Sequence, residues 1–250
     1  MRNFLLVKLE KKKLNDCKLE KNFKGSIKIN KNIIALTSNS ILPNGEDIIV
    51  FYDMIKEKRI NICENYSFIN EVNGLCIIDL EKENKKVLLC ACKKYTKEQK
   101  NGILLINTEL LYNEELTTNF IEIDSFEVNC FCQINIKENN KNTKTNYVLV
   151  GGLDTEKREG IIKLCKLIKI NDNIFNIEIL EDIFIGYTKD FEGFQGSINC
   201  IVQSKNNCKI LVGCLDGKVY TFSEPNINIY LEEDKELEDS NNELNSVLTL

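Results

Sequence analysis

The sequence predicts an all-β fold of about four repeats, each holding about four short strands. Two observations carry this. An apolar run followed by a turn and a second, usually glycine-opened apolar run occurs four times, at steps of about 55 to 58 residues counted from Asp47, Gly102, Gly160 and Gly217. The runs are about five to eight residues long, rich in β-branched side chains and separated by Gly, Asn and Asp, which favours strands over helices. The chain has 2 prolines in all, as a fold dominated by ladder hydrogen bonds requires.

The first pair runs Asn32-Ile-Ile-Ala-Leu-Thr-Ser-Asn39 into Asp47-Ile-Ile-Val-Phe-Tyr52 across the turn at Leu42-Pro43-Asn44-Gly45. The second is Lys86-Val-Leu-Leu-Cys-Ala-Cys92 into Asn101-Gly-Ile-Leu-Leu-Ile106. The third is Tyr147-Val-Leu-Val-Gly-Gly152 into Glu159-Gly-Ile-Ile-Lys-Leu164, and the fourth Lys209-Ile-Leu-Val-Gly-Cys214 into Asp216-Gly-Lys-Val-Tyr-Thr-Phe222. Another run precedes three of them: Val72-Asn-Gly-Leu-Cys-Ile-Ile78, Val128-Asn-Cys-Phe-Cys-Gln-Ile134 and Gly196-Ser-Ile-Asn-Cys-Ile-Val202, with Lys24-Gly-Ser-Ile-Lys-Ile29 a candidate first copy. Weaker runs such as Arg59 to Cys63 and Ile177 to Leu180 follow, giving four strands per unit, the composition of a β-propeller blade. Asn44-Gly45, Asn101-Gly102 and Asp216-Gly217 are expected to supply the positive φ of tight hairpins. Gly151-Gly152 reads as a strand end where another chain segment comes close, and Asn139 to Asn146 as an inserted low-complexity loop.

Ser197-Ile-Asn-Cys-Ile-Val202 followed by Ile210-Leu-Val-Gly-Cys-Leu-Asp-Gly-Lys-Val-Tyr-Thr-Phe222 resembles one blade of the WD40-like β-propeller superfamily. The resemblance covers roughly residues 25 to 225 and is a degenerate one. No Trp or His occurs in the chain, so the family's Gly-His and Trp-Asp pairs are absent, and Tyr220 to Phe222 stands where the third-strand aromatic would fall. The third copy, Tyr147 to Leu164, also looks like the large propellers of the polyadenylation-factor and DNA-damage-binding group.

Residues 25–230 therefore divide into repeats near 25–70, 71–126, 127–190 and 191–230. Residues 1–24, with the run Asn3 to Leu9, are expected to complete a preceding blade. Residues 231–250 form an acidic segment, Leu231 to Asn242, and a terminal strand, Val247 to Leu250. Four units lie at the low end of what a closed propeller uses, so an incomplete propeller is the favoured arrangement, a closed small one the alternative. An open arc exposes apolar sheet faces and invites self-association.

A net charge of −5, with no concentrated basic stripe, argues against nucleic acid as a direct ligand. The first ten residues lack the pattern of a secretory signal, and no apolar run reaches the length of a membrane-spanning helix. The 11 cysteines fall mostly inside apolar runs, which suggests reduced thiols and a cytoplasmic or nuclear location. Cys90-x-Cys92 and Cys130-x-Cys132 each put two thiols on one strand face and could together form a tetrahedral zinc site. Core packing is the competing explanation and the expected one.

Without histidine the familiar hydrolase constellations cannot be assembled, and no catalytic residue, metal or cofactor is expected. Lys93-Lys-Tyr-Thr-Lys-Glu-Gln-Lys100 and Thr155-Glu-Lys-Arg-Glu159 occupy the same connection in consecutive repeats, hence one rim. Loops on a rigid scaffold are where binding residues concentrate. Lys93, Lys94, Tyr95, Lys97, Lys157 and Arg158 are thus the candidate partner-binding residues of a non-catalytic scaffold for proteins or peptides. The polyadenylation-factor resemblance implies, as the alternative, a subunit of an RNA-processing complex.

Overall fold

The computed structural model describes residues 23–38, 48–60, 69, 71–80, 84–94, 100–112, 118–138, 141–180, 193–194, 196–204 and 209–222. The fold is all-β, in four consecutive antiparallel sheets. The first sheet is β1 (Phe23–Lys28), β2 (Ile33–Ser38), β3 (Ile49–Asp53) and β4 (Lys58–Ile60). The second is β5 (Glu71–Leu80), β6 (Lys85–Lys93), β7 (Gly102–Asn107) and β8 (Thr118–Glu122), with a 3-10 turn at Thr108–Leu110. The third is β9 (Phe126–Glu138), β10 (Lys141–Asp154), β11 (Gly160–Lys169) and β12 (Phe175–Ile179). The fourth holds, among the described residues, β13 (Ile198–Gln203), β14 (Ile210–Cys214) and β15 (Val219–Phe222). Strand order within every sheet follows chain order, as in a radial meander.

Successive sheets stack face to face. Their first strands lie side by side, β1 against β5, β5 against β9 and β9 against β13. Three apolar layers fill the gaps: Phe51, Leu88, Cys90 and Leu104 lie between the first and second sheets. Leu89, Ile103, Phe126 and Val150 lie between the second and third, and Leu149, Ile162, Ile198 and Val212 between the third and fourth. Because alternate residues of a strand point to opposite faces, each central run feeds two layers, which is why β6 and β7 are buried over nearly their whole length. Among the described residues no comparable layer joins the fourth sheet to the first. The four sheets form an open arc of blade-like units, an incomplete propeller-like arrangement.

Each first strand carries a bulge near its start, between Phe23 and Gly25, Val72 and Gly74, Val128 and Cys130, and Ile198 and Cys200. A bulge adds one residue and sharpens the local twist. Its recurrence aligns the repeats: Asn73, Asn129 and Asn199 are the extra residues, and Gly74, Cys130 and Cys200 the ones that follow.

Several expectations change. Gly217 has φ of +81° in its hairpin, but Gly102 is not among the positive-φ glycines. Gly102 opens β7, where a Cβ would lie 2.0 Å from the Ile121 carbonyl oxygen, so a close backbone approach fixes the residue. Gly151 and Gly152 sit inside β10 and not at its end, again under a close approach, the Glu127 carbonyl oxygen at 2.0 Å from a Cβ on Gly152. Lys141 to Asn146 are not an inserted loop. They extend β10 and pair with β9 from Lys141 opposite Glu138 to Lys144 opposite Asn135, and the register shifts before the ladder resumes at Val148 opposite Gln133. The weak fourth runs are Lys58–Ile60 and Phe175–Ile179. The expected preceding-blade strand at Asn3 to Leu9, the acidic segment Leu231 to Asn242, the terminal strand Val247 to Leu250 and the turn at Asn44-Gly45 lie outside the described residues.

Candidate interaction surface

The turn between β10 and β11 is built by one side chain. The Asp154 carboxylate accepts the backbone N–H groups of Glu156 and Lys157 through Oδ1, each at 2.9 Å, and the Arg158 N–H closes the turn on the Asp154 carbonyl at 2.8 Å. The hydrogen bond from the Lys157 N–H holds the Asp154 carboxyl below its ordinary range. Arg158 adopts φ of +58°, a left-handed conformation that non-glycine residues seldom take. Thr155 N–H then donates to the Ser125 carbonyl at 2.9 Å, tying the turn to the entry of β9.

The β14–β15 turn repeats the design. Asp216 Oδ1 accepts the Lys218 N–H at 2.9 Å and Oδ2 the Tyr220 hydroxyl at 3.0 Å, while the Leu215 N–H donates to the Ser197 carbonyl at 2.8 Å. Leu153-Asp154 and Leu215-Asp216 are the same position in consecutive repeats. The two turns are bridged by small residues, since the Gly160 N–H reaches the Phe194 carbonyl and Gly196 packs within 3.6 Å of the Leu215 Cβ as measured from an added Cβ.

The candidate residues on this rim separate into distinct situations. Lys157 and Arg158 are exposed on the fixed turn. Lys93 is half-buried at the end of β6 and forms an ion pair with Glu127 at the start of β9, and Lys94 is half-buried, its N–H donating to Asn101 Oδ1 at 2.9 Å. Tyr95 and Lys97 lie outside the described residues. The sequence pattern singles out no aliphatic residue on this rim, yet Leu215 is 69% exposed on the β14–β15 turn. Its signal is an aliphatic residue directly before the Asp-Gly of a hairpin, outside the strand alternation.

The four cysteines weighed as a metal site do not meet. Cys90 and Cys92 belong to the layer between the first and second sheets, Cys130 and Cys132 to the layer between the third and fourth. The alternation that pairs the thiols on one face also points the two pairs at different neighbours. Burial pushes the Cys92 thiol up to about 12 and raises Cys90 and Cys130 well above the ordinary thiol range. In the third and fourth sheets the thiol after the bulge sits over a cross-strand glycine, Cys130 over Gly151 and Cys200 over Gly213.

The first strands are also cross-linked by glutamines. The Gln133 side-chain amide accepts the Asp79 N–H at 3.2 Å and donates to the Asp79 carbonyl at 2.9 Å and to the Thr145 carbonyl at 2.7 Å. Gln203 does the same one sheet later, accepting the Asn135 N–H at 2.7 Å and donating to its carbonyl at 2.8 Å. Both stand four residues after the bulge asparagine, a position held by Ile77 in the second sheet. An Asn relay runs beside them, from Asn73 to Asn129 Oδ1 at 3.0 Å and from Asn129 to Ser197 Oγ at 2.5 Å.

No protein-family model matches the chain, and no curated protein matches it. A solved structure that it resembles is PorZ, a surface component of the type-IX secretion system of Porphyromonas gingivalis, at 12% identity and a TM-score of 0.39, over 81% of this chain and 32% of PorZ. The chain thus spans about a third of that protein's length, and a likeness at this level says nothing of what this chain does. The sequence expectation of a cytoplasmic or nuclear location is withdrawn; the neighbour found is a bacterial surface component. The thiols on which that expectation leaned are small hydrophobes packed in apolar layers, an arrangement compatible with any compartment. No other location is assigned.

Proposed function

We propose that this protein is a non-catalytic interaction scaffold, whose β10–β11 and β14–β15 turns present charged and apolar side chains to another protein or peptide. The observation that carries the reading is the exposure of Lys157 and Arg158 on a turn held by Asp154, together with that of Leu215 on the equivalent turn of the fourth sheet. The turn's backbone is fixed before binding, so little ordering entropy is lost on association. An aliphatic anchor and fixed charged side chains suit a partner face with an apolar recess and complementary charges. Buried thiols with raised pKa values are poor nucleophiles, which supports a binding over a catalytic role. The RNA-processing alternative gains no support from these features.

The test is native affinity capture of the protein and of two variants, Lys157→Glu with Arg158→Glu, and Leu215→Asp. Each is expected to lower recovery of a stoichiometric partner by about tenfold or more, since a rim anchor is exchanged for a repulsive or polar group. Full partner recovery by both variants overturns the reading.

A further inference from the structure

We propose that the outer face of the fourth sheet is the docking surface for one further blade-like β-sheet, supplied by a different polypeptide. The inference deepens the scaffold reading and rests on it, adding a second surface and the kind of partner that fits it.

The chain contains three copies of one interface, in which the forward face of each sheet is covered by the next. Position by position, the fourth sheet offers the same face with nothing on it among the described residues. Leu89 and Leu149 in the middle of β6 and β10 are each 0% exposed, and their equivalent Leu211 is 38% exposed. Across the ladder, Ile103 and Ile162 are 0% and 3% exposed, whereas their equivalent Val219 is 71% exposed. On the first strand Val202, equivalent to Cys76 and Cys132, is 54% exposed.

The glycines give the same contrast. The space a Cβ would occupy on Gly151 is met by the Cys130 sulfur and by Ile198 and Ile201 of the next sheet, but on Gly213, among the described residues, by the Cys200 sulfur alone. The polar register continues as well: Asn73 and Asn129 each reach forward to the following sheet, and Asn199 stands exposed at the same bulge. Single exposed apolar residues are ordinary, but Val202, Leu211 and Val219 are contiguous on one sheet face.

The occupant is identified by what the interface requires. Its complement is the rear face of a blade, such as Cys90, Val150 and Val212 present to the sheet before them. The corresponding residue of the first sheet is Leu36, which with Val50 is already 1% exposed. A second copy of this chain therefore has no free rear face to stack head to tail, which favours another polypeptide as the source of the docking sheet.

Two probes test this in the native complex. Cys200 is exposed in the isolated chain and should react with N-ethylmaleimide there, and about tenfold more slowly in the complex. p-Benzoylphenylalanine placed at Leu211 and at Val219 should photo-cross-link to alternate residues of strands in a different polypeptide, matching the two-residue period of a sheet face. Leu211→Lys should abolish the protection of Cys200 while leaving the circular dichroism melt of the isolated chain unchanged, because the residue is exposed.

Photoproducts within this chain, between two copies of it, or to a helical or irregular segment would overturn the proposal, as would equal Cys200 reactivity in both states. Loss of partners on the Lys157 and Arg158 variants with Cys200 equally reactive throughout leaves the rim reading standing and removes this one. Strand-periodic photoproducts in complexes that the rim variants still form do the reverse.

Discussion

The junction between the first and second sheets and the junction between the second and third solve one packing problem with different chemistry. At the second–third junction the first strands are fastened to each other. Gln133 grips the Asp79 peptide, Asn73 meets Asn129, and Lys93 and Lys144 pair with Glu127 and Asp79. At the first–second junction the glutamine position is Ile77, which packs against the layer of Phe51, Leu88, Cys90 and Leu104. A prominent polar fastening there lies instead between the end of β3 and the segment after β7, where the Tyr112 hydroxyl donates to Asp53 Oδ2 at 2.5 Å and Asp53 Oδ1 caps its own turn through the Ile55 and Lys56 N–H groups.

What the pair of junctions teaches is that stacking is repeated through shape, and polar fastening is added where a satisfied network is available. A side chain that satisfies two backbone groups can be exchanged for an apolar one at little net cost only if the whole set of partners is rearranged with it.

The largest expected effect comes from the residue after the bulge. A Cβ on Gly74 would lie 2.2 Å from the Asn129 carbonyl oxygen, an immovable backbone atom of the next sheet, whereas a Cβ on Gly25 would meet the Thr37 Oγ1 at 3.0 Å within its own sheet. Gly74→Ala should therefore destabilise the protein by about 3 kcal/mol in urea titration, and Gly25→Ala by about 1 kcal/mol or less. Equal losses would break the contrast between the junctions.

Next in size is the glutamine. Gln133→Leu strands the Asp79 N–H and carbonyl and one partner of the Thr145 carbonyl, and should cost about 2 kcal/mol in the same assay. Ile77→Leu, a volume-conserving change at the equivalent position, should stay under about 1.5 kcal/mol. A neutral Gln133→Leu would mean that the clamp is ornamental and that the junctions are energetically alike.

The smallest effect is a pH dependence at the first–second junction. Hydrogen bonds, that of the Lys56 N–H foremost and then that of Tyr112, hold the Asp53 carboxyl below its ordinary value of 3.8. Its contribution is thus full above that value and is lost as pH falls through the lowered one. Bonding to Asp53 raises Tyr112 to about 12 from 10.0, so its contribution is full below 10.0 and is lost as pH rises toward 12. The protection of the Ile49–Asp53 amides, taken relative to their intrinsic exchange at each pH, should therefore fall at both extremes, and Tyr112→Phe should remove the alkaline limb and soften the acid one. The β9 amides should not respond in this way.

The repeat is legible because each blade must bury both faces of its central strands, and that requirement writes near-continuous apolar runs at a fixed step. The bulge positions are present in the aligned runs, as Val72-Asn-Gly, Val128-Asn-Cys and Ile198-Asn-Cys, but nothing in the runs marks them as bulges. The glutamines are equally visible and equally mute, since a Gln in a strand looks solvent-facing until the neighbouring sheet brings a peptide to its amide. Of the rim residues, Lys157 and Arg158 stand where the repeat places them, on the β10–β11 turn. Lys93 is drawn into a pair with Glu127, 34 residues away in sequence. At Gly102 the Asn-Gly dipeptide points to a turn, a local rule overridden by the carbonyl of β8.

By itself the sequence determined the strands, their grouping in fours and the absence of histidine chemistry, because periodicity, turn residues and composition are properties of the chain alone. Only the tertiary structure decided which thiols share a layer, which lysines are paired across sheets, where glycine is needed for close approach and which sheet face the described residues leave uncovered. Those outcomes depend on side chains from different repeats meeting across a gap, and no local pattern records which face of a strand its neighbour will occupy.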